Sequence, residues 1–160
     1  MQQNYRNSEF VEERAILCPR NETVEKINDY VMSQIQGEEV TYLSLDTVCK
    51  ATMKYNTMEN MCPAEFLNNM TFPGIPIHEL KLKVGLPVML LRNINQAAGL
   101  CNGTRMTITQ LGNKYIETQI ITGTHVGDKV YIPRIIMSPS DSKWPFVLKR
   151  RQYPLSVFLQ

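Results

Sequence analysis

The chain contains no G-x-x-x-x-G-K-[ST] segment, and none of its eight glycines precedes a Lys-Ser or Lys-Thr pair. The backbone loop that cradles nucleotide phosphates is therefore missing from these residues. An acidic pair closing an apolar strand, the usual seat for magnesium beside such a loop, is missing too. Cysteine is sparse: Cys18, Cys49, Cys62 and Cys101 lie far apart, with no C-x-x-C and no histidine pair beside them. That excludes common zinc spacings and favours a reduced intracellular setting over a disulfide scaffold. The two histidines, His78 and His125, have no nucleophile or metal-binding neighbour in sequence, and no Ser or Cys sits in a nucleophile elbow. On these residues alone the chain shows no active site and no metal site.

Long hydrophobic runs are also lacking, so no segment is expected to cross a bilayer. Without a charged start leading into an apolar stretch, the Asn-x-Thr sequons at Asn21, Asn69 and Asn102 read as chance matches. Net charge is only +2, too small to announce a polyanionic partner. Its distribution says more. Residues 1–80 carry 6 Lys+Arg against 12 Asp+Glu, whereas residues 81–160 carry 11 against 3. Such polarity suggests two modules, the second facing an anion.

What is present reads first as α/β. Residues 1–13 form a polar lead-in. Ala15 to Cys18 is a short apolar run, as in a strand buried on both faces of a parallel sheet. Asn21 is a good helix N-cap, and Val24, Ile27, Val31 and Ile35 follow at helical spacing, with Gly37 as the stop. Val40 to Leu45 is a second strand, which completes a β-α-β unit and implies parallel strands. The pattern from Asp46 to Met61 is weak. Pro63 opens a short helix through Met70, and Phe72 to Pro76 is a linker at the point where the charge balance changes sign.

Beyond it the chain is all strand and turn. Leu80, Leu82 and Val84 alternate up to a Gly-Leu-Pro break, Val88 to Leu91 is apolar, and Arg92-Asn93 ends the run. Asn102-Gly103 offers a turn that accepts positive φ, and Thr104-Arg105 opens the next alternating run. Gly112-Asn113 reads as a two-residue hairpin turn, followed by strands at Tyr115 to Ile121, Lys129 to Ile136 and Phe146 to Tyr153. Short strands at this spacing predict a small antiparallel barrel.

Three places suit a phosphate backbone. The first helix begins Arg20-Asn21-Glu22-Thr23, with free backbone N–H groups, a cation and an amide. Arg92 and the turn Asn102-Gly103-Thr104-Arg105 put basic and amide groups at strand ends. Lys149-Arg150-Arg151-Gln152 is the densest basic cluster, with Lys143, Trp144 and Tyr153 near enough to add a stacking face.

Taken in order, RAILCPRNETVEKINDYV (Arg14 to Val31), PAEFLNNM (Pro63 to Met70), LKLKVGLPVMLLRNIN (Leu80 to Asn95), GLCNGTRM (Gly99 to Met106) and KRRQYPL (Lys149 to Leu155) resemble the C-terminal half of PIF-type (petite integration frequency) DNA helicases of superfamily one. The likeness is to the plant and rolling-circle-transposon forms. The resemblance implies a partial second RecA-like lobe at residues 14–76, an SH3-like barrel insert at 77–148 and a return strand to the lobe at 149–160. It places Arg20-Asn21 in the fourth helicase motif and Asn102 to Arg105 in the signature turn of the barrel.

The resemblance also implies an ATP- and Mg2+-dependent 5′–3′ motor acting in DNA replication, repair, recombination, telomere maintenance or transposition, in the nucleus or mitochondrion. The family's phosphate loop lies upstream of the matched stretch and its arginine finger downstream, so no ATP turnover and no cofactor are expected of these residues alone. What is left is single-stranded DNA binding by a monomer, with the first motor lobe as a further partner if supplied elsewhere. The alternatives are a non-enzymatic adaptor whose barrel binds a protein, or a degenerate remnant.

Overall fold

The computed structural model describes residues 21–49, 63–139 and 146–157. Among the described residues two helices, α1 (Asn21–Gln34) and α2 (Ala64–Asn68), accompany ten strands. These are β1 (Val40–Leu43), β2 (Leu45–Cys49), β3 (Glu79–Leu82), β4 (Pro87–Leu90), β5 (Arg105–Leu111), β6 (Tyr115–Ile120), β7 (Lys129–Pro133), β8 (Ile135–Met137), β9 (Val147–Gln152) and β10 (Leu155–Val157). A 3-10 turn occupies Gln96–Ala98. The strands form a pair, β1-β3, a five-stranded sheet, β10-β4-β5-β6-β7, and a three-stranded sheet, β2-β9-β8.

The C-terminal end of α1 meets the main core through Met32 and Ile35. Its last carbonyls are met from outside: Lys83 Nζ donates to the carbonyls of Met32 (2.9 Å) and Ile35 (3.2 Å). A cation there satisfies orphan acceptors and opposes the negative end of the helix dipole. The main core is built from alternate residues of the strands: Leu82, Val88, Met106, Ile108, Ile116 and Ile132 are all almost fully buried. A second cluster gathers Leu67 and Met70 from α2 and its C-terminal side with Phe146 and Leu148.

The expected β-α-β unit is corrected in part. Its first strand, Ala15 to Cys18, and with it the expected parallel pair, lies outside the described residues, but the second is two strands broken at Ser44. β1 runs antiparallel to β3, with Val40 opposite Leu82, and β2 runs antiparallel to β9, with Leu45 opposite Arg151. Every strand pair among the described residues is antiparallel. The closed barrel is corrected as well. The five-stranded sheet is open, with β10 and β7 as its edges among the described residues. The strand read as Lys129 to Ile136 is divided at Pro133-Arg134, and β8 passes to the other sheet. Proline donates no backbone N–H, which suits the end of an edge strand.

The β5–β6 turn is also not the one expected. Gly112 lies outside the left-handed region, so a two-residue turn with positive φ at its first position is not formed. Glycine is required there for another reason: a Cβ on Gly112 would lie 2.6 Å from the carbonyl oxygen of Tyr115. Backbone must shift to admit it. Gly112→Ala is therefore expected to lower stability by about 1–3 kcal/mol, as overpacking does, read as the change in the urea unfolding midpoint. Gly123→Ala, with open space around its Cβ but φ of +89°, reports backbone strain alone. A bulge between Ile108 and Gln110 shifts the parity of β5, so that Leu111 packs toward the core although Ile108 already does.

Candidate nucleic-acid interface

The loop from Arg92 to Arg105 is held almost wholly by its own polar groups. The backbone N–H of Asn102 donates to Asn93 Oδ1 at 2.7 Å, and the N–H of Gly103 donates to the carbonyl of Leu90 at 2.8 Å. Thr104 Oγ1 donates to the carbonyl of Gly99 (2.8 Å) and accepts from the N–H of Cys101 (3.1 Å). Gly103 has φ of +91°, which a side chain would strain. Two of the expected contact residues, Gly103 and Thr104, thus have a structural role: their polar groups close the turn. The Asn102 side chain stands exposed at its tip, and the half-buried Arg105 opens β5 with its N–H on Thr122 Oγ1 at 3.1 Å. Arg92 is half-buried, and its guanidinium lies against Gly74 of the 72–76 segment.

In the basic cluster, strand geometry divides four residues into two faces. Lys149 and Arg151 point outward from β9, with Thr47 and Leu45 as their neighbours on β2. Arg150 and Gln152 point inward and are 0% exposed, which corrects the reading of all four as a DNA-facing group. Arg150 spends every N–H internally. Nε and Nη2 form a two-pronged pair with Asp46, Nε donating to Oδ1 at 3.0 Å and Nη2 to Oδ2 at 2.7 Å. Nη1 donates to the carbonyls of Met70 and Pro76 (3.1 Å each), and Nη2 to that of Leu67 (2.9 Å). Gln152 donates to the carbonyls of Tyr42 and His78 and accepts from the N–H of Tyr153.

Tyr153 is buried and offers no stacking face; Lys143 and Trp144 lie outside the described residues. Arg20 does too, while Asn21 opens α1 and Thr23 is exposed in its first turn. The exposed contact candidates are thus Asn102, Lys149, Arg151 and Thr23, with Arg92 and Arg105 half-covered. The 72–76 segment connects two of these regions, because Arg92 touches Gly74 and Arg150 holds the Pro76 carbonyl.

A serine, a histidine and an aspartate do meet in space, a grouping invisible in sequence. Ser44 Oγ lies 2.6 Å from Asp46 Oδ1 and 2.8 Å from His78 Nδ1. The order is wrong for nucleophilic catalysis. Asp46 is an acceptor already paired with Arg150, so the single hydroxyl proton of Ser44 goes to it and His78 Nδ1–H must donate to Oγ. The imidazole then cannot take the serine proton, and the trio serves to orient Asp46.

Among shifted groups, burial pushes the Tyr42 phenol up, the neighbouring Tyr153 adds to this, and Arg134 pulls the other way. The hydroxyl of Thr109 holds the Glu117 carboxyl below its usual range, against a smaller effect of burial, with Lys129 and Tyr131 acting alongside it. Sequence reading missed Tyr115 and Tyr131, which stand edge to face on the outer face of the five-stranded sheet. The period-two alternation of their strands, each flanked by a buried isoleucine, was the available signal.

Among the described residues this architecture is mostly β-sheet, with every strand pair antiparallel and few helices. The family "DNA helicase Pif1, 2B domain" matches residues 65–111. A curated relative, the ATP-dependent DNA helicase PIF1 of Xenopus laevis, is 30% identical over 100 residues, which is 61% of this chain and 13% of that protein. Unliganded Pif1 from Bacteroides sp superposes with a TM-score of 0.61 at 22% identity, over 98% of this chain and 42% of that one. Pif1 helicase from Candida albicans gives 0.59 at 19%, over 99% and 42%. Bacteroides Pif1 bound to ssDNA gives 0.58 at 19%, over 98% and 37%. Residues 65–111 thus match the Pif1 2B-domain family, and the chain spans less than half the length of each of these relatives.

Proposed function

We propose that this chain is the 2B-containing part of an ATP-driven 5′–3′ DNA helicase, and that its own share of the work is to hold single-stranded DNA. The observation that carries this is the match to the 2B domain over a loop that is rigidly prebuilt. Asn93, Gly103 and Thr104 spend their polar groups on closing it and so hold Asn102 out at its tip. The fold shared with a Pif1 bound to ssDNA supports the same reading. In it, Arg92, Asn102, Arg105, Lys149 and Arg151 supply phosphate contacts, joined by Thr23 at the start of α1 with Arg20 and Asn21 beside it.

ATP and Mg2+ belong to the whole motor, in the nucleus or mitochondrion. No group of three His, Cys, Asp or Glu among the described residues is placed to hold a metal ion. The test is fluorescence anisotropy of a labelled oligo-deoxythymidine at several salt concentrations. Affinity is expected to fall with a log–log slope of about −0.7 per phosphate neutralised, and reversal of Lys149 and Arg151 to Glu is expected to flatten that slope. An affinity indifferent to salt would count against phosphate contacts.

One observation favours a second reading, a protein contact. Arg151 is paired in register with Leu45 on one side and Ile136 on the other, and these two are 61% and 65% exposed. An apolar strip split by a cation suits a protein surface, whether the other motor lobe or an adaptor's partner. Loss of DNA binding in the Lys149/Arg151 reversal with partner capture intact separates the two.

A further inference from the structure

The outer face of the five-stranded sheet carries groups that the reading above does not use. β6 and β7 pair so that Glu117 stands opposite Tyr131 and Tyr115 opposite Pro133. These residues alternate with buried Ile116, Thr118 and Ile132, so they face away from the core. Tyr115 and Tyr131 are 50% and 56% exposed, and their rings meet edge to face, 5.2 Å between centres at 83°. Beside Tyr115, at the β5–β6 turn, lies an open cleft of about 190 Å³ lined by Gln110, Gly112, Asn113 and Lys114. Ligand pockets for drug-sized molecules are typically about 300–1,000 Å³, so this one suits a single planar ring with amide groups at its edge.

The charges around the pair favour an anion. Lys114 is exposed, and Lys129, two residues before Tyr131 on the same face, has its side chain mostly in solvent. The nearby carboxylate, Glu117, is occupied: Thr109 Oγ1 donates to it at 2.7 Å and Lys129 Nζ lies 3.3 Å away. We infer that Tyr115 and Tyr131 form a stacking platform for bases of a single nucleic-acid strand, with Lys114 meeting a flanking phosphate and Lys129 neutralising Glu117. The combination of exposed aromatic rings with cations is what sequence-tolerant single-strand binding uses. A proline-rich peptide fits less well. The two rings touch, leaving no slot between them for a prolyl ring, and the carboxylate that would pair with a basic flank is already held.

This platform rests on the single-strand binding proposed above, and the experiment separates the two. The full chain is titrated at low salt with labelled oligo-deoxythymidine and with an abasic strand of equal length and charge. The variants are Tyr115→Leu/Tyr131→Leu and the conservative Tyr115→Phe/Tyr131→Phe, their fold checked by circular dichroism. Wild type is expected to prefer the base-bearing strand. The leucine variant is expected to lose about tenfold or more in affinity for it, with abasic binding unchanged, while the phenylalanine variant keeps most of it.

Equal affinity of wild type for both strands, or a leucine variant that binds like wild type, overturns the platform and leaves phosphate contacts standing. Failure of wild type to bind either strand overturns both proposals. A proline-rich peptide bound by wild type and not by the leucine variant, with DNA affinity the same in both, assigns the face to protein and overturns the platform.

Discussion

Arg150→Ala is expected to lower stability by about 3–5 kcal/mol, the range for removing one partner of a buried ion pair. Urea unfolding followed by circular dichroism measures it. The size follows from what the guanidinium leaves behind. The Asp46 side chain, 3% exposed, becomes a buried carboxylate without a counter-charge, and the carbonyls of Leu67, Met70 and Pro76 each lose a donor. A five-residue helix such as α2 is far too short to persist alone; Arg150 caps its C-terminal side and so docks it.

The Asp46→Leu/Arg150→Met pair tests which part dominates. It removes the charge problem but not the orphaned carbonyls, so recovery of only part of the loss is expected. Arg151→Ala, one residue along but outward-facing, is expected to change stability by no more than about 0.5 kcal/mol. Equal losses at the two arginines would contradict the division of β9 into two faces.

Tyr153→Ala is the other large effect, about 3–5 kcal/mol for truncating a fully buried aromatic ring. The ring meets Tyr42 edge to face at 5.1 Å, and the Arg134 guanidinium stands 5.0 Å from its centre. Its hydroxyl shares one proton between the carbonyls of Gly112 (3.3 Å) and Asn113 (3.0 Å), which ties the end of β9 to the β5–β6 turn. Tyr153→Phe keeps the packing and removes only that tie, so a loss near 1 kcal/mol is expected. A phenylalanine variant as unstable as the alanine one would show that the hydroxyl, not the ring, holds the junction.

Period-two patterning made much of this fold readable. Leu80 and Leu82, and Met106 and Ile108, take the buried side that alternation assigned them, whereas Val84, the third member of the first alternating arm, is 50% exposed. α1 follows its helical spacing, and α2 begins where Pro63 sets it. β2 was hidden because its inward position is an aspartate. Nothing local shows that Asp46 will meet an arginine 104 residues later. The same distance concealed Arg150: KRRQ reads as a solvated cluster until strand parity sends its second and fourth members inward.

The Asn102–Arg105 turn was legible as a turn; that Gly103 and Thr104 spend their polar groups on closing it was not. The strand partners stayed hidden for a different reason. Apolar runs reveal strands but not partners, and the partners of β1 and β2 come from far along the chain.

The pairing of β2 with β9 also fixes the order in which the molecule can be completed on the ribosome. Leu45 leaves the ribosome well before its neighbour Arg151, so until the intervening residues are made the nascent chain carries an unmet edge and an Asp46 without Arg150. The three-stranded sheet can close only once β9 has left the exit tunnel, an entropically demanding step because Asp46 and Arg150 lie 104 residues apart.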